Sequence, residues 1–149
     1  MKLWQKKKTF SEKVLPLYTE FDKREHVARV GAMVLATTTD YPEECLRVAL
    51  CHDLIEDEYA TWGQLTQLGL SFEEVEAVGL LTRLENQTYK HYISDIIAAR
   101  DTIPGQFALT VKTCDIADHL HYPRILNLSR KKAQRYLDAY TELADALTT

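Results

Sequence analysis

Apolar residues recur along most of this chain at the spacing of an amphipathic α-helix. Between residues 25 and 38, Val27, Val30 and Val34 stand three and four positions apart, which places them on one face of a helix. The stretches 88–100 and 129–147 are amphipathic in the same way. The hydrophobic pattern therefore predicts several helices that each bury one face.

Residues that favour helix ends mark where these predicted helices begin and stop. Ser71 and Glu74 have the S-x-x-E spacing of a capping box at the start of the segment 71–84, in which the serine side chain accepts a bond from the helix backbone. Pro16 is expected to limit a short first helix in the stretch 11–22, and Asp40 with Pro42 to begin a helix over about 43–56. Thr61 would cap a short helix that stops at Gly69, and Pro104 with Gly105 would break the chain.

One segment fits two kinds of secondary structure. Residues 107–120 (FALTVKTCDIADHL) contain β-branched side chains that a strand would also accept, but the surrounding patterns are helical. We therefore expect residues 1–149 to form a single all-α domain of about six to eight helices. Its core would span about residues 10–125, and a C-terminal helix over about 129–147 would carry an apolar stripe of Ala133, Tyr136, Leu137, Tyr140 and Leu143.

Composition and charge narrow the class of protein. Hydrophobic residues make up 46% of the 149 positions and charged residues 27%, which is typical of a globular domain. The net charge is −4, and basic residues cluster only at 6–8 and 130–132, which argues against a nucleic-acid partner. No apolar run reaches the roughly 18 residues of a membrane span. The N-terminus lacks the apolar region of a signal peptide, and the three cysteines lack CxxC spacing. We therefore expect a cytoplasmic protein with free thiols, of undetermined oligomeric state.

A histidine and several carboxylates follow an apolar run directly, in the stretch ALCHDLIEDEY over residues 49–59. On a helix, His52 and Glu56 would lie four positions apart, as would Asp53 and Asp57, so the four side chains would crowd one side. Carboxylates this close repel one another unless a cation lies among them or some stay protonated. The pair His52 and Asp53 is therefore suited to binding a divalent metal ion.

Two more residues complete a candidate metal site. His26 interrupts an apolar helix face, and Asp115 lies in an apolar segment where an unpartnered carboxylate is costly. Alone, each has an ordinary explanation. His26 can be a hydrogen-bonded core histidine, and Asp115 can be the partner of Lys112. With His52 and Asp53 they make a set of two histidines and two carboxylates, which suits Mn, Fe, Zn or Mg.

The order His, His-Asp, Asp resembles that of the HD-domain metal-dependent phosphohydrolases. HDLIEDE is similar to the HDxxED motif of the hydrolase domain in RelA/SpoT-type guanosine tetraphosphate enzymes, and VKTCDIADHL is similar to their K-x-A-D-x-x-x-N segment. HVARV resembles the first-histidine motif, and LLTRLENQTYKHYISDI resembles a stretch common in small members of the family. The resemblance covers about residues 10–125 and implies a helical HD domain.

The resemblance also implies roles for individual residues. The metal ligands would be His26, His52, Asp53 and Asp115, and the carboxylates that handle the attacking water would be Glu56 and Asp57. The ion in this family is most often manganese, and the reaction removes the 3′-pyrophosphate from guanosine 3′,5′-bis(diphosphate). Two positions depart from the family pattern, because Val27 replaces a proline and His119 replaces an asparagine that helps to hold the nucleotide.

Hydrolysis of a phosphate also requires positive charge near the phosphoryl oxygens. The candidate cations are Lys112, which shares a segment with Asp115 and ranks first, then Arg83, Lys90 and Arg24. His119 can replace the asparagine, since a neutral imidazole both donates and accepts hydrogen bonds. Three hypotheses remain open. They are a guanosine tetraphosphate hydrolase, a hydrolase of another small phosphate such as a nucleoside monophosphate, and a non-catalytic HD module that binds a nucleotide or a partner.

Overall fold

A computed structural model describes residues 7–149 of the chain as helices joined by short turns, with no strand in that range. The α-helices are α1 (Phe10–Val14), α2 (Phe21–Thr37), α3 (Pro42–Cys51), α4 (Trp62–Gln67), α5 (Phe72–Leu81), α6 (Tyr89–Ala98), α7 (Ile103–Leu120) and α8 (Arg130–Thr148). Two 3-10 helices lie at Leu15–Leu17 and Arg124–Asn127. The prediction of an all-α fold with about six to eight helices is confirmed. The N-terminal stretch that lacks the apolar region of a signal peptide lies largely outside the described residues.

The central helix is α7, which packs against α2, α3, α5, α6 and α8. Val111 and Ile116 on α7 are completely buried, as are Val30 on α2 and Val48 on α3. Burying one large aliphatic side chain contributes about 1.5–3 kcal/mol, so this packing fixes how α2, α3 and α7 sit together. Within residues 7–149, no helix is both long and apolar enough to cross a membrane.

The start of α7 corrects one prediction. Pro104 and Gly105 do not break the chain but lie in the first turn of this helix, where proline's missing N–H leaves no bond unmade. Glycine is required at 105, because a Cβ there would overlap the carbonyl oxygen of Ala99. Thr102 caps the helix by accepting from the N–H of Gly105. The segment 107–120 continues this helix, as predicted.

The helix predicted over 43–56 ends five residues early, at Cys51. In a continuing helix the carbonyl of Ala49 would accept from the N–H of Asp53. Here that carbonyl instead accepts from the ring Nδ1–H of His52 at 2.6 Å and from the backbone N–H of His52 at 3.4 Å. Residues 52–58 therefore form a series of turns, and the acidic cluster lies on a turn rather than on one helix face.

Other boundaries agree with the sequence more closely. Thr61 caps α4, and Gly69 follows the end of that helix with φ 95°, a left-handed conformation that favours glycine. Ser71 caps α5 by accepting from the N–H of Glu74. The carboxylate of Glu74 does not return to the cap, because it accepts two hydrogen bonds from Nε and Nη2 of Arg47 at 2.8 and 2.9 Å.

Near the N-terminus, one predicted boundary is confirmed and two are wrong. Pro16 limits the first helix, as expected, because α1 ends at Val14 and Pro16 lies in the 3-10 helix that follows. The first helix does not extend to residue 22, since α2 begins at Phe21. The N-cap of α3 is Tyr41, with φ 50°, and not Asp40. Because Pro42 occupies the first helical position, the cap falls on the residue directly before it.

The C-terminal helix was predicted within one or two residues of α8, but its buried face was partly wrong. Leu137 and Tyr140 are exposed, whereas Ala139 and Ala146 are buried. The face of α8 that packs on the bundle is therefore rotated from the predicted one, and it brings Tyr136 against α6 and α7.

Candidate metal centre

Three segments bring two histidines and two carboxylates together. His26 comes from α2, Asp115 from α7, and His52 and Asp53 from the turn after α3. All four residues are buried. Nε2 of His26 lies 2.8 Å from Oδ1 of Asp115, and Nε2 of His52 lies 3.5 Å from the same oxygen. The structure thus places the four residues selected from the sequence beside one another.

Each imidazole uses one nitrogen for a hydrogen bond and leaves the other without one. Nδ1 of His52 is 2.6 Å from the carbonyl of Ala49, and Nδ1 of His26 is 2.7 Å from a carboxylate oxygen of Asp118. Both partners can only accept, so both Nδ1 atoms donate. Both Nε2 atoms are buried and form no hydrogen bond with any described residue. Among the described residues, only carboxylate oxygens face these two nitrogens, at 2.8 and 3.5 Å, so a divalent ion between the imidazoles and the carboxylates would fit this space.

His26, His52 and Asp115 form a buried group that can hold a metal ion, because one ligand atom from each lies within 4.8 Å of the others. Oδ2 of Asp53 borders the same space, 3.2 Å from Nε2 of His52 and 3.8 Å from Nε2 of His26. The same oxygen also lies 3.2 Å from Nζ of Lys23. Imidazole and carboxylate ligands accept several divalent ions, so these residues define a site for a cation without defining the metal.

The pKa values in the cluster follow from mutual attraction in a buried space. Burial alone would lower the pKa of His52, but Asp53 and Asp115 raise it to about 10. Burial alone would raise the pKa values of both carboxylates. The pKa of Asp53 is nevertheless lowered, chiefly by His52, and the pKa of Asp115 is lowered, chiefly by Lys112. In the absence of a metal, protons on the imidazoles balance the ionised carboxylates, so metal binding would release them.

Two carboxylates of the acidic turn have different partners. Oδ2 of Asp57 lies 2.9 Å from Nζ of Lys23, a cation that the sequence analysis did not select. Glu56 accepts from the backbone N–H of Arg83 at 3.2 Å and forms no ion pair with a described residue. Glu56 is exposed, but desolvation by its neighbours raises its pKa, although Lys112 opposes this shift. Because Glu56 also forms no ion pair with a described residue, it is the group better placed to accept a proton.

Lys112 and His119 lie on the face of α7 that carries Asp115. Nζ of Lys112 is 2.7 Å from Oδ2 of Asp115 and 5.1 Å from the centre of the Tyr92 ring, so the lysine braces the carboxylate. Nε2 of His119 is 3.4 Å from Oδ1 of Asp115, and its ring stacks on Tyr136 at 5.1 Å. Both residues were predicted from the sequence to bind substrate, and both lie beside the candidate centre.

A tyrosine–arginine wall lies next to His119 and comprises Tyr89, Tyr136, Arg83, Lys132 and Arg135. The guanidinium carbon of Arg135 is 4.3 Å from the centre of the Tyr89 ring, and that of Arg83 is 5.6 Å from it. Nζ of Lys132 is 5.8 Å from the centre of the Tyr136 ring. None of the three cations pairs with a carboxylate of the described chain. Cations free of carboxylates beside aromatic rings suit a ligand that carries both an anionic group and a ring.

The sequence analysis missed Lys132 and Arg135 on α8, although the basic run at 130–132 next to an apolar stripe was a usable signal. Arg83 is in the wall, where its Nε donates to the carbonyl of Gln87 at 2.9 Å. Arg24 instead donates to the carbonyl of Tyr18 at 3.1 Å. It makes no hydrogen bond or ion pair with the four candidate ligands, so its predicted role in substrate binding gains no support from contacts.

Comparison of the chain with models of protein families found no match, and comparison with curated proteins found none either. The geometry defines a class of site, a buried histidine–carboxylate centre beside cations that form no ion pair within residues 7–149. The resemblance to HD-domain enzymes stays a prediction.

Proposed function

We propose that this protein is a metal-dependent phosphohydrolase of the HD-domain type that acts on a nucleotide, with guanosine 3′,5′-bis(diphosphate) as the first candidate substrate. The observation that carries the proposal is the pair of buried Nε2 atoms of His26 and His52, which form no hydrogen bonds with described residues although Asp53 and Asp115 lie beside them. The HDxxED sequence pattern agrees with this proposal, since it places Glu56 and Asp57 in the same turn as two of the ligands.

Different residues around the centre would bind the metal ion and accept the proton. His26, His52 and Asp115, with Asp53 bordering the same space, would hold a divalent ion, which would supply an activated water at neutral pH. Glu56 would be the proton acceptor in this reaction, because its pKa is raised and no cation of the described chain forms an ion pair with it. The carboxylate of Asp57 is already bound to Lys23 and is the poorer proton acceptor.

The tyrosine–arginine wall supplies the contacts that a nucleotide requires. Arg135 and Lys132 are free of carboxylate partners among the described residues, so they can bind phosphate oxygens without first breaking an ion pair. The half-buried ring of Tyr89 is the one on which a base can stack, since Tyr136 is buried and already stacks on His119, and such contacts contribute about 1–3 kcal/mol per base in nucleic-acid complexes. His119 lies between the wall and the centre. It can hydrogen-bond to the nucleotide in place of the asparagine that the resemblance assigns to this position.

The proposal is tested by a screen of metals against substrates. The protein is freed of metal with a chelator, reloaded with Mn, Zn, Fe or Mg, and incubated with guanosine 3′,5′-bis(diphosphate) or with nucleoside monophosphates. We expect manganese-dependent release of pyrophosphate from the first substrate. Orthophosphate from monophosphates alone would favour a different phosphohydrolase. If no phosphate compound is hydrolysed although an ion is bound, a binding module is the better account.

Arg135→Met is expected to raise KM for the nucleotide about 10–100-fold with little change in kcat. The substitution removes one charged contact, worth about 1.5–3 kcal/mol, at a distance from the bond that breaks. The matched control is Lys131→Met, which removes an exposed cation from the same helix and should leave KM within twofold. Steady-state kinetics at fixed manganese measure both variants, and equal changes in the two would remove Arg135 from the binding site.

A further inference from the structure

Asp118 is a buried carboxylate to which the proposed reaction assigns no step. It lies on α7, three residues after Asp115, and 2% of its side chain is exposed. Oδ2 accepts from Nδ1–H of His26 at 2.7 Å and from Nη2 of Arg29 at 3.1 Å. Oδ1 accepts from Nε of Arg29 and from Nη2 of Arg124, each at 2.8 Å. Both oxygens are therefore held, and the carboxylate cannot turn without losing several bonds.

We propose that Asp118 is a positioning residue that sets the affinity of the centre for its metal ion by fixing the ring and the tautomer of His26. A carboxylate accepts, so Nδ1 of His26 keeps its hydrogen, and once a metal ion has displaced the proton from Nε2, that nitrogen directs its lone pair at the space it shares with Asp115 and His52. Metal-binding histidines commonly donate their second nitrogen to such a partner. The inference rests on the metal centre of the proposed function but does not depend on its substrate.

The two histidines differ in the partner that holds them. His52 donates to the backbone carbonyl of Ala49, a neutral group that no substitution removes. His26 donates to a charged side chain, which orients the ring and also makes the opposite nitrogen a stronger electron donor. The contribution of Asp118 to metal binding can therefore be measured by substitution, and His52 remains as an unaltered ligand.

Two arginines hold Asp118 in place from different elements. Arg29 lies on α2, three residues after His26, and binds both carboxylate oxygens. Arg124 lies in the 3-10 helix that follows α7, and its Nε also donates to the backbone carbonyl of Asp118 at 2.9 Å. This arrangement ties α2, the end of α7 and the 3-10 helix to one carboxylate, so the orientation of His26 is determined by more than its own rotamer.

The test measures metal binding in the absence of any substrate. Asp118→Leu removes the acceptor for Nδ1–H of His26, and we expect Mn²⁺ to bind about 10–100-fold more weakly, the range seen for such partners in other metal sites. Asp118→Asn keeps an oxygen that can accept but loses the charge, so its loss should be smaller. Electron paramagnetic resonance of free Mn²⁺ gives the affinities, and the absorption spectrum of the Co²⁺-loaded protein reports the ligand geometry.

Glu74→Gln is the matched control, because Glu74 is also 2% exposed and is also bound by an arginine, Arg47, but does not contact the candidate ligands. Substitutions at Asp118 and at Glu74 should all lower the melting temperature. Only the substitutions at Asp118 should weaken Mn²⁺ binding and shift the Co²⁺ spectrum. If Asp118→Leu does not fold, Asp118→Asn decides the outcome.

Mn²⁺ affinity in the Asp118 variants within twofold of the unchanged protein would overturn the inference. An equal loss in Glu74→Gln would do the same, and so would an unchanged protein that binds neither Mn²⁺ nor Co²⁺. A protein whose metal affinity depends on Asp118 but that hydrolyses no phosphate compound would support this inference while removing the proposed function.

Discussion

Replacing Asp115 with asparagine is expected to abolish metal binding and hydrolysis together. Oδ1 of Asp115 lies 2.8 Å from Nε2 of His26 and 3.5 Å from Nε2 of His52, so it faces the nitrogens through which both histidines would bind the ion. Asparagine keeps the shape of the side chain but loses its negative charge. Loss of a partner behind a ligand already costs about 10–100-fold in affinity, and we expect the loss of the ligand itself to exceed about 100-fold. Hydrolysis then falls to the uncatalysed background, since no water is activated.

Calorimetric titration with Mn²⁺ and a phosphate-release assay measure the two effects in the same preparation. Asp101→Asn, which changes an exposed carboxylate in the turn before α7, is the control and should alter neither quantity. Circular dichroism shows whether the Asp115 variant is folded, because Lys112 also loses its ion pair. A folded Asp115→Asn protein that retains hydrolysis at the original rate would exclude catalysis at this centre.

The helical architecture could be predicted because each helix buries one face, and the spacing of its apolar residues records that face. The errors occur where a single contact outweighs this pattern. The helix over 43–56 ends early because the ring of His52 occupies the carbonyl of Ala49. A break was expected at Pro104 and Gly105, but both residues lie in the first turn of α7. The glycine is needed there because the backbone of α7 passes close to Ala99. Neither contact has a signature in hydrophobic periodicity.

The candidate ligands could be selected because each is a charged or polar residue in an apolar context, where burial without a partner is costly. The residues that support them could not be selected in this way. Lys23 contacts Asp53 across 30 positions of the chain, and His26 contacts Asp118 across 92. Such pairings depend on how α2, α3 and α7 pack against one another, and the hydrophobic pattern along the sequence does not reveal that packing. The assignment of Glu56 over Asp57 likewise required the position of Lys23.

Glu56→Gln is expected to lower kcat about 10²–10⁴-fold, the usual contribution of a general base, while Mn²⁺ affinity stays within a few-fold. The physical reason is that Glu56 has a raised pKa and forms no ion pair with described residues, so it can accept a proton from a bound water, whereas glutamine cannot. Asp57→Asn is the paired variant. Its carboxylate is bound to Lys23 at 2.9 Å and is not the proton acceptor in this assignment, so its kcat should fall less than about tenfold, well short of the effect of losing a general base.

The two variants are compared at saturating Mn²⁺ with the nucleotide that the substrate screen identifies, and metal content is measured on the same samples. A larger loss in Asp57→Asn than in Glu56→Gln would reverse the assignment of the base. Loss of the metal from either variant would make that carboxylate a ligand rather than a proton acceptor. Unchanged kcat in both would mean that residues 56–58 are an ordinary solvated turn, and the proton would have to leave by way of His119 or the solvent.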